Sequence, residues 1–151
     1  MKIVQKKFKS RIWCLRHLKR NGFNKGELVK VYTAMVRPVA EYCSSVYHTM
    51  ITQADSNEMG RIQMQALKSI FGWRDSYAKL LEKSGLQRLD DRREEAFMKL
   101  ASKMSESARY SAWFPRRVSG HSATLRYHEK FSLHSATTER YLNSPINTMR
   151  R

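Results

Sequence analysis

Apolar residues recur every three or four positions along most of the first hundred residues, which is the spacing of one face of an α-helix. The first such run contains Val4, Phe8, Ile12, Leu15 and Leu18. At about 100° per residue these side chains share one side of a helix. The pattern predicts a first helix over residues 2 to 20, with Gly22 as its stop signal.

The second predicted helix has a start signal and an interruption. Asn24 can cap the free backbone donors of a helix, and Glu27 follows three residues later, as in a capping box. The apolar stripe behind it contains Leu28, Val31, Tyr32, Met35, Val36 and Val39. Pro38 lies inside this stripe and is predicted to kink the helix, because its ring removes one amide donor and clashes with the preceding turn.

Two more helices are predicted in the middle of the chain. The third covers about residues 54 to 71 and closes near Gly72, and its inward positions are Met59, Ile62, Ala66, Leu67 and Ile70. A short fourth helix runs from about Ser76 to Lys83, and Gly85 ends it.

A fifth helix completes the predicted bundle. Asp90 is predicted to cap it, and its inward positions are Phe97, Leu100, Ala101 and Met104. Beyond Arg109 the periodicity fades and Ser, Thr, Arg, His and Asn dominate. We therefore predict an all-α fold, a bundle of about five helices over residues 1–107. An extended, poorly structured basic tail is predicted to follow over residues 108–151.

Charge narrows the choice of partners. The chain has 29 Lys and Arg against 13 Asp and Glu, a formal net charge of +16. Residues 1 to 50 contain 11 basic and 2 acidic side chains, and the basic surplus returns after residue 100. Such a surplus attracts phosphate polyanions or anionic membranes. RNA, DNA or an RNA–DNA hybrid is the first partner expected.

The first helix has a basic face opposite its apolar stripe, and no acidic residue precedes Glu27. This face comprises Lys2, Lys6, Lys9, Trp13, Arg16 and Arg20. It suits phosphate contacts, with the indole stacking on a base or sugar. It equally suits a solvated surface helix whose indole packs on a neighbouring helix, and the pattern alone does not choose between the two.

Motifs for other functions do not occur in the sequence. Cys14 and Cys43 lack the spacing of a zinc site or a disulfide scaffold, and we take both as reduced thiols of an intracellular protein, cytoplasmic or nuclear. No P-loop, GxSxG or HExxH is present, and no cofactor or metal is expected. Asp90 and Asp91 are interpreted as helix caps. No apolar run approaches the roughly 18 residues of a membrane span.

An ordered series of short motifs runs along the chain. It begins with R-x-x-x-L-R-x-L from Arg11 and L-x-x-x-Y from Leu28, and continues with R-P-x-x-E-Y at Arg37, Pro38, Glu41 and Tyr42. It then includes I-Q-x-x-A-L with Gln63, a tyrosine at Tyr77, G-L-x-x-L-x-x-R-R ending at Arg92 and Arg93, and R-Y-x-N-S-x-I from Arg140. In this order the motifs resemble the C-terminal thumb and post-palm segment of reverse transcriptases from non-LTR, LINE-type retrotransposons.

The chain departs from that family's pattern at two places. Tyr47 stands where the family often has tryptophan, which preserves an aromatic ring. Met64 and Gln65 stand where the family has basic residues, which removes an expected phosphate contact from the third helix. From their own surroundings, Arg92 and Arg93 are interpreted as partners of Glu94, Glu95 or a neighbouring helix end rather than as nucleic-acid contacts.

The resemblance implies a thumb-like module that grips the template–primer duplex beside a polymerase palm, without sequence preference and through phosphates. The palm's aromatic-x-Asp-Asp box is not in the sequence, and polymerisation needs paired carboxylates that hold two metal ions. The chain alone is therefore expected not to be an enzyme. The palm is expected upstream of Met1, and a palm domain is an expected protein partner.

Three other interpretations stay open. The chain could be a protein-interaction module whose charge maintains solubility, or a decayed retroelement product without activity. The basic amphipathic first segment also suits a helix lying on a membrane surface, although we expect no membrane partner.

Overall fold

The computed structural model describes residues 2–113, 138 and 144–150. Every regular element in this part of the chain is helical, so the predicted all-α class is confirmed. The elements are α1 (Lys2–Arg20), α2 (Lys25–Val31), a π-helical turn (Tyr32–Val36), α3 (Arg37–Glu41), α4 (Ser44–Tyr47), α5 (Gln53–Phe71), α6 (Tyr77–Ser84), α7 (Leu89–Glu106), a 3₁₀ helix (Ala108–Trp113) and α8 (Pro145–Arg150).

The helix ends follow the local signals in the sequence. The predicted capping box is confirmed, since the Glu27 amide donates to the Asn24 side chain and the Asn24 amide donates to the Glu27 carboxylate, each at 2.9 Å. Gly85 ends α6 in the left-handed conformation, at φ +64. α1, α5 and α6 lie where the first, third and fourth helices are predicted.

The chain divides into two compact units. The first comprises Met1–Ser44 and Ile51–Arg93, and the second comprises Ser45–Met50 and Glu94–Arg151. The sequence predicts a boundary after residue 107, whereas this division falls within α7. Arg93 is buried and its Nη2 donates to Ser56 Oγ of α5 at 2.6 Å, which fixes the start of α7 in the first unit.

The core of the first unit forms where α1 packs on α5. Phe8, Ile12 and Leu15 of α1 are buried, as predicted. All five inward positions predicted for the third helix are buried as well, namely Met59, Ile62, Ala66, Leu67 and Ile70. Each large side chain buried in this way contributes about 1.5 to 3 kcal/mol, so this contact is a principal source of stability.

The second predicted helix is interrupted by the π-helical turn, which ends before Pro38. The Arg37 amide donates to the Tyr32 carbonyl five residues back, and Pro38 then lies in the first turn of α3. A proline is tolerated there, because first-turn amides have no intrahelical acceptor. The wide turn also shifts the apolar stripe. Met35 is 49% exposed, so its predicted inward position is wrong.

α7 begins two residues earlier than predicted. Leu89 is its first residue, so Asp90 lies in the first turn and is not the cap. The Asp90 carboxylate instead accepts two hydrogen bonds from Arg88, at 3.0 and 2.8 Å. Burial is the largest single influence on Asp90 and opposes its ionisation. The bonds from Arg88, the Arg88 charge and backbone hydrogen bonds together outweigh burial and hold the pKa of Asp90 below its usual value. An acid in the first turn also interacts favourably with the helix dipole.

A buried glutamine joins α5 to α6 and α7. Gln63 Nε2 donates to the Gln87 carbonyl at 3.0 Å, and its Oε1 accepts from the Tyr77 hydroxyl at 2.6 Å and from the Leu89 amide at 3.1 Å. Burial raises the pKa of Tyr77 to about 12. Since an unpaired polar group in a core is costly, this set of bonds fixes how the three helices meet.

A second polar cluster lies at the end of α3. Arg92 donates to the Glu41 carboxylate, and Arg37 Nε lies 3.4 Å from the same group. Arg92 therefore has an acidic partner at the end of a neighbouring helix, which is one of the kinds of partner predicted for it. The chain leaves α3 through Tyr42, which is 79% exposed, and Cys43, whose φ of +54 lies in the left-handed region.

In the second unit, the described part of the predicted tail contains helix. Residues 108–113 and 145–150 of this predicted tail form the 3₁₀ helix and α8. Pro145 begins α8, where its fixed φ suits the first turn. The motif that starts at Arg140 lies outside the described residues except for its last positions, Ser144 to Ile146.

We expect Gln63→Leu to lower the free energy of unfolding by about 2 to 3 kcal/mol, because the substitution leaves the Leu89 amide and the Gln87 carbonyl without their bonds. Urea unfolding followed by circular dichroism measures the change. Gln65→Leu, at an exposed position of the same helix, is the matched control and should change stability by about 0.5 kcal/mol or less. Equal stability of the two variants would contradict the role of Gln63.

The raised pKa of Tyr77 makes its stabilising effect depend on pH. The folded chain keeps a proton that the unfolded chain, with a tyrosine pKa near 10.0, releases first. The contribution of Tyr77 to the free energy of unfolding is therefore complete below about pH 10 and is lost as the pH rises towards 12. We expect the stability difference between the wild type and Tyr77→Phe to narrow over this range in urea unfolding. A difference that stays constant would argue against this account.

Candidate nucleic-acid interface

The predicted basic face of α1 runs beside the contact between α1 and α5. Lys9 Nζ lies 2.6 Å from Glu58 Oε1, and Arg16 Nε donates to Ser69 Oγ at 3.3 Å. The hydrogen bond from Lys9 holds the pKa of Glu58 below its usual value. Two of the six predicted residues therefore contact α5. The Lys9–Glu58 pair is exposed, and such pairs contribute about 1 kcal/mol or less, so a phosphate can compete for Lys9.

The remaining predicted residues are open to solvent. Lys2, Lys6 and Arg20 are exposed, and none of them forms an ion pair or a side-chain hydrogen bond with another described residue. Trp13 is 67% exposed, and its ring stacks on His17 of the same helix with 5.1 Å between ring centroids. The ring contact of Trp13 is thus within its own helix, and most of the indole is accessible to a ligand.

Lys19, which the sequence pattern did not assign to the basic face, connects α1 to the end of α5. Its Nζ donates to the carbonyls of Ser69 and Ile70, each at 2.9 Å. These carbonyls belong to the last turn of α5, where no later amide of the helix can reach them. A positive charge is also favoured at a helix C-terminus. Lys19 is therefore a structural cation that fixes α1 against α5.

A tryptophan after α5 extends the basic surface. Gly72 ends α5 at φ +115, a backbone conformation that is almost restricted to glycine. The following Trp73 is 65% exposed, and the Lys68 ammonium lies 5.6 Å from its ring centroid. A groove of about 310 Å³, here called the Trp73 groove, is lined by Arg16, Lys19, Arg20, Ser69 and Trp73.

Positive charge dominates the Trp73 groove. In the described part of the chain, no carboxylate forms an ion pair with Arg16, Lys19 or Arg20. Sequence reasoning missed Trp73 and Lys68, because no helical spacing connects them to α1. The available signal was a glycine stop followed directly by a tryptophan.

The motif residues beyond α1 that carry the family resemblance lie apart from the basic face. Glu41, Gln63, Arg92 and Arg93 make the internal contacts of the first unit described above, and Arg37 lies beside Glu41. Pro38 and Tyr42 are exposed. The motif residues with polar contacts therefore hold helices together. Arg16 belongs both to the first motif and to the basic face, and the other five residues of that face are not specified by the motifs.

Other kinds of site are sparse in the described residues. No three side chains of His, Cys, Asp or Glu come together there as possible metal ligands. No helix among them has the length and apolar character to cross a bilayer. Cys14 and Cys43 are free thiols.

The second unit has a groove of its own, with a volume of about 540 Å³. No charged side chain is among its described lining residues, and the apolar ones are Val46, Met50, Leu100, Met104, Ala112, Trp113, Pro145, Ile146 and Met149. An apolar groove of this kind suits a hydrophobic side chain or helix of a partner rather than a phosphate.

Comparison with known proteins identifies no relative, since no protein-family model, no curated protein and no solved structure matches the chain.

Gly72 is expected to control the position of Trp73 through its backbone. A Cβ at this residue meets no atom within 4 Å, so Gly72→Ala tests the conformation at φ +115 alone. We expect it to lower the free energy of unfolding by about 1 to 3 kcal/mol. Gly60→Ala, inside α5 and also in open space, is the control and should raise stability by about 0.5 to 1 kcal/mol. Thermal unfolding measures the stability of both variants. If Gly72→Ala is as stable as the wild type, the backbone at this residue does not require glycine.

Proposed function

We propose that this chain is a thumb-like nucleic-acid-binding module that grips template–primer without sequence preference, as the resemblance to LINE-type reverse transcriptases implies. The supporting observation is the set of exposed cations on one face of α1 that have no acidic partner among the described residues. In this proposal catalysis belongs to a palm domain, and the present chain contributes binding.

The dimensions of α1 fit a nucleic-acid backbone. The helix has 19 residues, which is roughly 28 Å at 1.5 Å per residue. One strand of a duplex presents a phosphate about every 3.4 Å along the axis, so the helix spans roughly eight of them. Lysine and arginine side chains at intervals along it can each neutralise one phosphate and release its counterions. Binding of this kind reads no bases and weakens steeply as salt rises.

The contacts of α1 with α5 divide its cations by role. Lys9, Arg16 and Lys19 reach α5, so replacing them would disturb the fold as well as any binding. Lys2, Lys6 and Arg20 make no such contact. These three residues are therefore the positions at which a change of charge reports on binding alone.

A second candidate function is a protein-interaction module, and the apolar groove of the second unit is the observation that favours it. A hydrophobic site without charged lining does not bind a phosphate backbone. The two functions are compatible, because the groove and the basic face belong to different units.

Charge reversal at α1 tests the proposed function. We expect the triple variant Lys2→Glu, Lys6→Glu, Arg20→Glu to bind a fluorescently labelled RNA–DNA hybrid more weakly than the wild type in anisotropy titrations. Because three phosphate contacts are lost, the slope of log affinity against log salt should become shallower by about 3. Anionic vesicles titrated in parallel distinguish a membrane-surface helix, which would bind vesicles at least as well as the hybrid.

The matched control variant carries the same change of net charge at other exposed positions, Lys30→Glu, Lys79→Glu and Lys103→Glu. It should keep the salt slope of the wild type, because its charges lie outside α1. If both triple variants lose affinity equally, binding follows net charge and α1 is not the interface. If neither loses affinity, the proposed function is wrong.

A further inference from the structure

The Trp73 groove has a feature that duplex binding through phosphates does not use. Its indole is 65% exposed, although tryptophan gains strongly from burial. Gly72 holds it there in a backbone conformation that other residues rarely adopt. Both observations describe an aromatic ring that the fold presents to solvent beside a row of cations.

Arg16 is oriented towards this groove by a hydrogen bond. Its Nε donates to Ser69 Oγ, and the Ser69 hydroxyl in turn donates to the Gln65 carbonyl at 2.8 Å. The two terminal nitrogens of Arg16 have no partner among the described residues. A guanidinium held in this way offers a fixed pair of donors, which matches the geometry of a phosphate. Arg20 lines the same groove and has no acidic partner in the described chain.

The size of the groove limits what it can hold. A volume of about 310 Å³ is at the lower end of small-ligand sites, and it suits a single nucleotide rather than a helix of paired strands. A base within a duplex has both faces covered by its neighbours. An unpaired base can enter such a groove and place its face on an indole, and this stacking is the usual contact of single-strand-binding proteins.

We propose that the Trp73 groove is a subsite for one unpaired nucleotide, with the base stacked on Trp73 and its phosphate bound by Arg16 and Arg20. The proposal rests on the proposed function and refines it, because the cations of α1 hold the backbone while the groove selects strands with an unpaired end. The preferred ligand is then a duplex or hybrid that carries a single-stranded extension.

The experiment compares a blunt RNA–DNA hybrid with the same hybrid carrying a short single-stranded extension, by anisotropy at fixed salt. We expect the wild type to bind the extended hybrid about tenfold more tightly, which is the scale of one stacked base. Trp73→Leu should abolish this preference and keep the affinity for the blunt hybrid. Trp73→Phe should retain most of the preference, because a phenyl ring also stacks.

Trp113→Leu is the matched control, since it removes a 48% exposed tryptophan of the second unit, and it should keep the preference. Circular dichroism confirms that each variant folds. Equal wild-type affinity for the two hybrids, or a preference that survives in Trp73→Leu, would overturn the subsite while leaving the proposed function intact. Failure of both hybrids to bind would overturn both proposals.

A competition experiment distinguishes two possible ligands of the Trp73 groove, a nucleic-acid strand end and a free nucleotide. Adenosine monophosphate, added in large excess, should not displace the extended hybrid, because a single nucleotide lacks the phosphate contacts along α1. Displacement that depends on Trp73 would show a site for free nucleotides instead, and the preference for strand ends would be wrong.

Discussion

The packing of α1 on α5 is the contact on which both the core and the candidate interface depend. Apolar side chains of the two helices fill the middle of the contact. Along its edge, Lys9 pairs with Glu58 and Lys19 binds the last carbonyls of α5. Because the apolar contact sets the distance between the helices, it also decides which cations of α1 reach α5 and which stay exposed. The fold and the charged surface are therefore two results of one packing arrangement.

Buried and half-buried polar groups make that packing specific. Gln63 connects α5 to two other helices, and Arg93 and Glu41 are held by hydrogen bonds or ion pairs within the first unit. A slipped arrangement would leave these groups unpaired in a poorly solvated interior, which costs several kcal/mol. The same side chains belong to the motif series on which the proposed relation to a reverse transcriptase thumb segment rests. At Gln65, where that family has basic residues, the side chain is exposed on α5, so the departure affects the surface and not the interior.

The proposed binding combines two contacts that differ in physical character. Cations along α1 attract any phosphate backbone, and their effect is weakened by salt. An exposed indole in a groove depends on stacking, which salt affects far less and which requires an uncovered base. Together they would let a small helical module hold a duplex by its backbone and distinguish an end from an interior. A polymerase that extends one strand along another needs such a distinction at the junction of single and double strand.

The sequence by itself determined the bounds of α1, α5 and α6 and the apolar faces of α1 and α5, because caps, glycine stops and helical spacing act within one or two turns. It also determined that one face of α1 is basic. Only the tertiary structure decided that Met35 turns outward and that α7 starts at Leu89, since a wide turn and a buried glutamine outweigh the local pattern. Only folding placed Trp73 beside α1, because the two are far apart in the chain and meet through the packing of α5.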